Sequence, residues 1–264
     1  MCATCGCDSE SKISIHKVEP IANVNWNEVQ FTKPVEIPIP VGGKEIKVEQ
    51  NILWKNKALA QDNRTFFLAN NIVALNLVSS PGSGKTSLLE RTLQDLKSDL
   101  DFFVIEGDQQ TSNDADRIAA TQVPVIQINT GKGCHLDAQM IREAVRQLNP
   151  SENSVLFIEN IGNLVCPAMF DLGEQKRVVI ISVTEGDDKP LKYPDMFASS
   201  QLCIINKIDL LPYVNFNLEQ VKSYARQVNR KMEFIELSCT TGVGLTEWYE
   251  WLKKINAEHT LVRV

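Results

Sequence analysis

The sequence has no excess of basic residues, no long apolar run and almost no histidine. Lys and Arg total 27 against 33 Asp and Glu, a net charge of −6 with pI ≈ 5.2. That balance excludes a broad basic surface for nucleic acid. No apolar run reaches the roughly 18 residues that a membrane span needs. The first ten residues, MCATCGCDSE, lack the basic start and apolar stretch of a secretory signal, so a cytoplasmic location is expected. Thiols stay reduced there, and the seven cysteines read as metal ligands or core thiols rather than disulfides. No internal repeat is present.

What is there divides at residue 43. Residues 1–7 form a cysteine-dense tip. Residues 8–43 are polar and carry Pro20, Pro34, Pro38 and Pro40 before Gly42-Gly43. The pattern predicts a flexible tail with extended or irregular backbone. From Lys44 to about Ala69 the spacing of Ile52, Leu53, Leu59 and Phe66–Leu68 predicts a helix closed by Asn70-Asn71. Residues 44–264 are expected to form a single domain. Its apolar runs, rich in Val and Ile, are Ile72–Val78, Phe102–Ile105, Val123–Ile128, Val155–Ile158, Val178–Val183, Leu202–Ile205 and Phe234–Leu237. Such runs suit parallel strands buried on both faces. Between them Leu88, Leu89, Leu93 and Leu96, and again Met140, Ile141, Ala144, Val145 and Leu148, recur at helical spacing. The prediction is an α/β fold with a doubly wound, mostly parallel sheet, whose ligands lie at the carboxyl ends of the strands.

The chemistry-bearing motifs fall at those ends. Ser79–Thr86 matches the phosphate loop G-x-x-x-x-G-K-S/T except that Ser79 stands at the first glycine. Gly82, Ser83 and Gly84 would turn backbone N–H groups toward phosphates, with Ser87 just inside the following helix. Lys85 would reach the β- and γ-phosphates, and the Thr86 hydroxyl would hold Mg²⁺. Asn206-Lys207-Ile208-Asp209 closes another apolar run. Its carboxylate can accept from both the ring N–H and the amino group of guanine, a donor pair that adenine does not present. Asn206 would brace the loop and the Lys207 stem would cover the base. Ser238-Cys239 opens a loop similar to the one whose N–H meets the guanine oxygen. GTP is therefore expected over ATP. Asp108 and Glu159 end two further strands; Asp108 is a candidate Mg²⁺ ligand or water-orienting group. Glu159-Asn160-Ile161-Gly162 stands where many GTPases have D-x-x-G, with its glycine N–H sensing the γ-phosphate. Lys85, Thr86, Asp108 and Glu159 are the residues expected to carry hydrolysis. Asp114, Asp116 and Arg117 lie in what reads as the next loop.

Two cysteine groups suggest metal. Cys2, Cys5 and Cys7 place three thiols within six residues, and Gly6 permits a sharp bend between the last two. Soft thiolates with the terminal amine make a donor set for Ni²⁺, Cu⁺ or Zn²⁺. Cys134-His135 and Cys166 lie beyond strand ends on the nucleotide side. Their spacing leaves open whether they form a Zn²⁺ or Ni²⁺ site or are unrelated thiols. Cys203 sits inside an apolar run and reads as a buried small hydrophobe.

The combination of CxxCGC, GKGCHLDA and ENIGNLVCP with the two nucleotide motifs resembles the HypB family, the nickel-incorporation GTPases of nickel–iron hydrogenase maturation. The resemblance runs from the cysteine tip to Asp209. It implies a high-affinity nickel site at Cys2, Cys5 and Cys7, and a second Zn²⁺/Ni²⁺ site at Cys134, His135 and Cys166 in the interface of a GTP-promoted homodimer. It also implies a HypA-type accessory protein as partner and the hydrogenase large subunit as indirect recipient. A storage role is not expected, since the three histidines are scattered. The alternatives are a urease-type nickel GTPase, which shares the fold and base motif, a P-loop small-molecule kinase, and a passive metal-binding protein.

Overall fold

The computed structural model describes residues 14–17, 44–109 and 113–261. All seven apolar runs form strands. After an edge strand β1 (Ser14–Lys17) come β2 (Val73–Ser79), β3 (Phe102–Asp108), β4 (Val125–Asn129), β5 (Val155–Glu159), β6 (Lys176–Ser182), β7 (Leu202–Asn206) and β8 (Glu233–Glu236). Their order is β1-β4-β3-β5-β2-β6-β7-β8, with β2 to β8 mutually parallel. Every residue of β2, β5 and β7 is buried, as expected when helices cover both faces.

The helices are α1 (Lys44–Ala69), α2 (Lys85–Leu96), α3 (Asn113–Ala119), α4 (Ala138–Leu148), α5 (Lys189–Lys192), α6 (Pro194–Ser199), α7 (Leu218–Val228) and α8 (Leu245–Leu261). Side chains alternate across β2. Val73, Leu75 and Leu77 join Leu88, Leu89 and Leu93 of α2 and Trp248 and Leu252 of α8 in one cluster. On the other face Ala74 packs with Phe67 of α1 and Ile141, Ala144 and Val145 of α4. Val78 belongs to a third cluster with Phe197 of α6 and Val221 of α7. Between Ala74 and Val78 the row carries Asn76, fully buried, and the β6 row on the same face opens with buried Arg177. A polar seam therefore separates the two clusters of this face.

Two elements differ from the sequence reading. Ser14–Lys17, inside the stretch expected to be irregular, pairs antiparallel with β4, Ser14 opposite Asn129 and Lys17 opposite Ile126. A sheet edge offers unpaired backbone groups to any extended segment, and Ile15 adds a partly buried contact to the α1/α4 cluster. Asp114, Asp116 and Arg117, read as loop, lie on α3, where Ala115 and Ile118 are its buried residues. Two apolar positions three apart are too few to show periodicity.

Helix α1 is held by asparagines as much as by apolar packing. The Asn56 amide donates to the Asp171 carbonyl (2.8 Å) and its oxygen accepts from the Ala138 N–H (2.8 Å). Asn63 donates to the carbonyls of Ala138 (2.9 Å) and Leu172 (3.0 Å). Gly173 makes this approach possible. Its φ is +92°, and a Cβ there would lie 2.6 Å from the Ala60 carbonyl oxygen and 2.7 Å from Asn63 Cβ. Gly173→Ala is therefore expected to lower stability by about 1–3 kcal/mol, read as a lower urea midpoint at unchanged slope.

Candidate nucleotide and metal site

At the carboxyl end of β2 the chain turns through Ser80–Gly84 into α2. Gly82 has φ +74° and Gly84 φ +93°, backbone that side chains rarely adopt. A Cβ on Gly84 would also collide with the Asn206 amide, so this glycine is required by the close approach of the two motifs. Asn206 donates to the Ser83 carbonyl (2.9 Å) and accepts from its neighbour Lys207 N–H (2.7 Å) and from Cys239 N–H (3.4 Å). Lys207 Nζ donates to the Gly82 carbonyl (2.7 Å). The phosphate loop and the base loop are thus one hydrogen-bonded unit. Ser238 is buried and its hydroxyl accepts from Thr241 N–H (3.1 Å), shaping the loop that carries Cys239.

A cavity of about 490 Å³ opens over this unit, lined by Gly82 to Ser87, Asp108, Arg117, Glu159 and Lys207 among others. Asp209 Oδ1 is buried and has no hydrogen-bond partner. An orphaned carboxylate oxygen is costly, and the N–H pair of a guanine would satisfy it.

Acidic groups converge on the phosphate side. Glu159 Oε1 accepts from the Thr86 hydroxyl (2.6 Å) and from Lys85 Nζ (3.1 Å). Glu106 stands opposite Glu159 in the β3–β5 register, and Asp108 lies two residues on. Glu106 Oε2 and Glu159 Oε2 are both buried without a partner. Burial, then the charges of Glu159 and Asp108, push the Glu106 carboxyl up to about 8. Unfilled carboxylate oxygens beside a threonine hydroxyl suit a hard divalent cation, for which Thr86 and Asp108 are the expected ligands.

Three further contacts to the phosphate loop and α2 were not foreseen. Ser83 Oγ donates to Glu185 Oε1 (2.6 Å), Lys189 Nζ donates to Ser80 Oγ (2.9 Å), and Arg117 bridges Glu90 (2.6 Å) and Ser87 Oγ (3.3 Å). Glu185 follows β6 by three residues, so the strand-end rule that singled out Asp108 and Glu159 could have found it.

The second cysteine group is brought together. Ligand atoms of Cys134, His135 and Cys166 all lie within 4.8 Å of one another. Cys134 and His135 come from the loop after β4, and Cys166 opens a 3₁₀ turn, Cys166–Met169, after β5. Burial holds the His135 imidazole below its ordinary value against the opposing charge of Asp137, which favours the neutral, metal-binding form. Phe170 stacks on the ring at 3.8 Å. Two thiols and one neutral imidazole fit Zn²⁺ or Ni²⁺. Cys203 is fully buried and its thiol is pushed upward by burial; Cys239 is pushed up to about 11 by the same cause. Cys2, Cys5 and Cys7 lie outside the described residues. Among the described residues no helix is long and apolar enough to cross a membrane.

Two outcomes are expected from these groups. Asp209→Asn removes the acceptor pair and should weaken guanine-nucleotide binding roughly 10- to 100-fold, measured by calorimetry, while leaving the weaker adenine-nucleotide binding unchanged. Glu106 keeps in the fold a proton that the unfolded chain loses near the ordinary carboxylate value. Its contribution to stability is therefore full below about pH 4.5 and is lost as pH rises through about 8. With EDTA and no nucleotide, urea titrations should show stability falling over this range by at most about 1.4 kcal/mol per pH unit from this group. Glu106→Gln should remove that component.

The model of the CobW/HypB/UreG nucleotide-binding domain matches residues 73–236. The hydrogenase maturation factor HypB of Escherichia coli (strain K12) is 58% identical over 208 residues, covering 79% of this chain and 72% of that protein. The HypB of Azotobacter vinelandii is 45% identical over 289 residues and covers 100% of this chain and 95% of its own. A crystal structure of HypB from Helicobacter pylori in complex with nickel superposes with a TM-score of 0.72 at 40% identity, covering 77% of this chain and 96% of that one. The chain belongs to the HypB family of hydrogenase maturation factors, within the CobW/HypB/UreG nucleotide-binding proteins.

Proposed function

We propose that this chain is a GTP-hydrolysing nickel metallochaperone that supports nickel insertion into nickel–iron hydrogenase. One observation carries the reading. The single segment Glu159–Cys166 meets Lys85 and Thr86 at one end and supplies a thiol to the Cys134–His135–Cys166 cluster at the other. Nucleotide and metal therefore share a mechanical element. Nickel bound to the similar H. pylori protein supports the metal assignment.

In this reading the amides of the phosphate loop, Lys85 and Ser87 hold the triphosphate, and Asp209, Asn206 and the Ser238-Cys239 loop select the base. Thr86 and Asp108 would hold Mg²⁺, which when bound would supply positive charge to offset that of the triphosphate. Lys85 and Thr86 must leave Glu159 to reach those groups, and Glu159 is then free to orient a water for attack. Among the described residues the arginine lining the cavity is Arg117, and it is engaged with Glu90 and Asp114 rather than held out as an arginine finger. Hydrolysis is accordingly slow and serves as a switch.

The chain divides into a 1–43 segment, which carries the Cys2, Cys5 and Cys7 nickel tip and lends β1 to the sheet, and a 44–264 GTPase unit. Val165 and Met169, each 55% exposed, flank Cys166. An apolar rim around a three-ligand cluster suits a second copy closing over it, giving a GTP-promoted homodimer with Zn²⁺ or Ni²⁺ between the protomers. A HypA-type accessory protein would help pass the nickel to the hydrogenase large subunit.

The test combines nickel titration of the full chain with nucleotide turnover. Two nickel-binding events are expected, one lost on replacing Cys2, Cys5 and Cys7 by serine and the other on Cys166→Ser. A GTP analogue should double the mass in solution, and GTP turnover should stay below the roughly 1–100 s⁻¹ of kinases. Nickel binding insensitive to both sets of substitutions, or equal turnover of ATP, would overturn the reading.

A further inference from the structure

Asn163 lies four residues past Glu159 and three before Cys166, half-buried between the two arms of the metal cluster. Its amide donates to the Cys134 carbonyl (3.2 Å) and its oxygen accepts from the Val165 N–H (2.9 Å). One side chain thus bonds to the backbone of one thiol residue and to the residue preceding the other. We propose that Asn163 is the positioning residue through which the nucleotide-side segment sets the separation of Cys134 and Cys166. This rests on the reading of Cys134, His135 and Cys166 as a metal site.

The surroundings determine which parts of this device are fixed. At the base of the segment Asn160 is fully buried. It donates to Asn76 Oδ1 (3.3 Å) and accepts from the N–H groups of Leu136 (3.3 Å) and Ile161 (3.0 Å). Asn76 in turn donates to Glu174 Oε1 (3.1 Å), which also accepts from Arg177 Nε (3.0 Å). The Arg177 guanidinium reaches the carbonyls of Ala168 (3.2 Å) and Phe170 (2.9 Å), the far side of the Cys166 turn. This seam, satisfied along its length, anchors the outer ends of both arms to β2 and β6.

The tip between them is where motion can enter. Gly162, next to Asn163, lies against the phosphate loop so closely that a Cβ on it would sit 3.1 Å from Pro81 Cα and 3.2 Å from Pro81 N. A phosphate loop that rearranges around a triphosphate pushes Gly162, and Asn163 carries the displacement to both thiols. The Val165 bond alone is an ordinary turn closed by an asparagine side chain, which shapes only its own loop. The bond to Cys134, 29 residues away in sequence, is what makes the side chain a link.

Serine separates the two roles. The hydroxyl introduced by Asn163→Ser can still accept from Val165 N–H, but it is too short to reach Cys134 and adds no charge. The experiment uses the full chain with Cys2, Cys5 and Cys7 replaced by serine, titrated with Ni²⁺ with and without a GTP analogue. Thiolate-to-metal absorption reports the remaining site. Asn163→Ser and Asn163→Ala are both expected to weaken Ni²⁺ binding roughly 10- to 100-fold and to abolish the shift that the analogue causes. Affinity for the analogue should stay within about 3-fold of the parent, and the thermal midpoint should fall by no more than about a few degrees. Asn163→Ser matching the parent in affinity and in nucleotide response would overturn the inference and leave a local turn. A Cys166→Ser control that binds Ni²⁺ as the parent does would instead overturn the metal-site reading itself.

Discussion

The carboxylate of Glu159 holds Lys85 and Thr86, the two groups proposed to meet a triphosphate and its cation. Lys85 Nζ and the Thr86 hydroxyl both point at one oxygen of this side chain, which is 1% exposed at the end of a fully buried strand. A buried charge is tolerable only when paired, so under the proposed function occupancy of the phosphate loop would redistribute the pairing around Glu159. The other parts of the site are placed to use that redistribution. Glu106 and Asp108 on the neighbouring strand supply acid groups, and the chain leaving Glu159 runs directly to the thiol of Cys166.

The proposed coupling would need a stiff frame, and the frame here is polar. Asn76, Asn160, Glu174 and Arg177 replace what could have been continuous apolar packing between the α1/α4 and α6/α7 clusters. Helix α1 adds a second brace, since Asn56 bonds at once to the first residue of α4 and to Asp171 beyond the Cys166 turn. Fully satisfied buried networks fix one geometry where apolar contacts would allow sliding. A cluster of three ligands drawn from two separate loops depends on that rigidity.

The sheet was legible because buried parallel strands are apolar on both faces, and each of the seven runs needed no partner to be recognised. The nucleotide motifs were legible for a similar reason: Ser79–Thr86 and Asn206–Asp209 are contiguous, and each carries its chemistry locally. The metal cluster was not, because Cys134-His135 and Cys166 meet only when the loops after β4 and β5 converge; spacing left the pairing open and the resemblance to a family supplied it. Strand β1 was missed because an edge strand of four residues needs little side-chain signal. Asn56 and Asn163 were passed over because asparagine reads locally as a helix interruption or a turn, while their function here lies in bonds to residues far along the chain. Phe170, stacked on His135, looked like one more apolar residue.

Reciprocity offers the most direct test of the claim that phosphate loop and metal cluster share one element. If nucleotide changes the affinity for Ni²⁺ at Cys134, His135 and Cys166, then Ni²⁺ must change the affinity for nucleotide by the same factor. Calorimetric titration of a non-hydrolysable GTP analogue into metal-free protein and into protein loaded only at this cluster measures it. The account predicts dissociation constants differing by roughly 5- to 150-fold, the usual range of such couplings. Equal constants would contradict it.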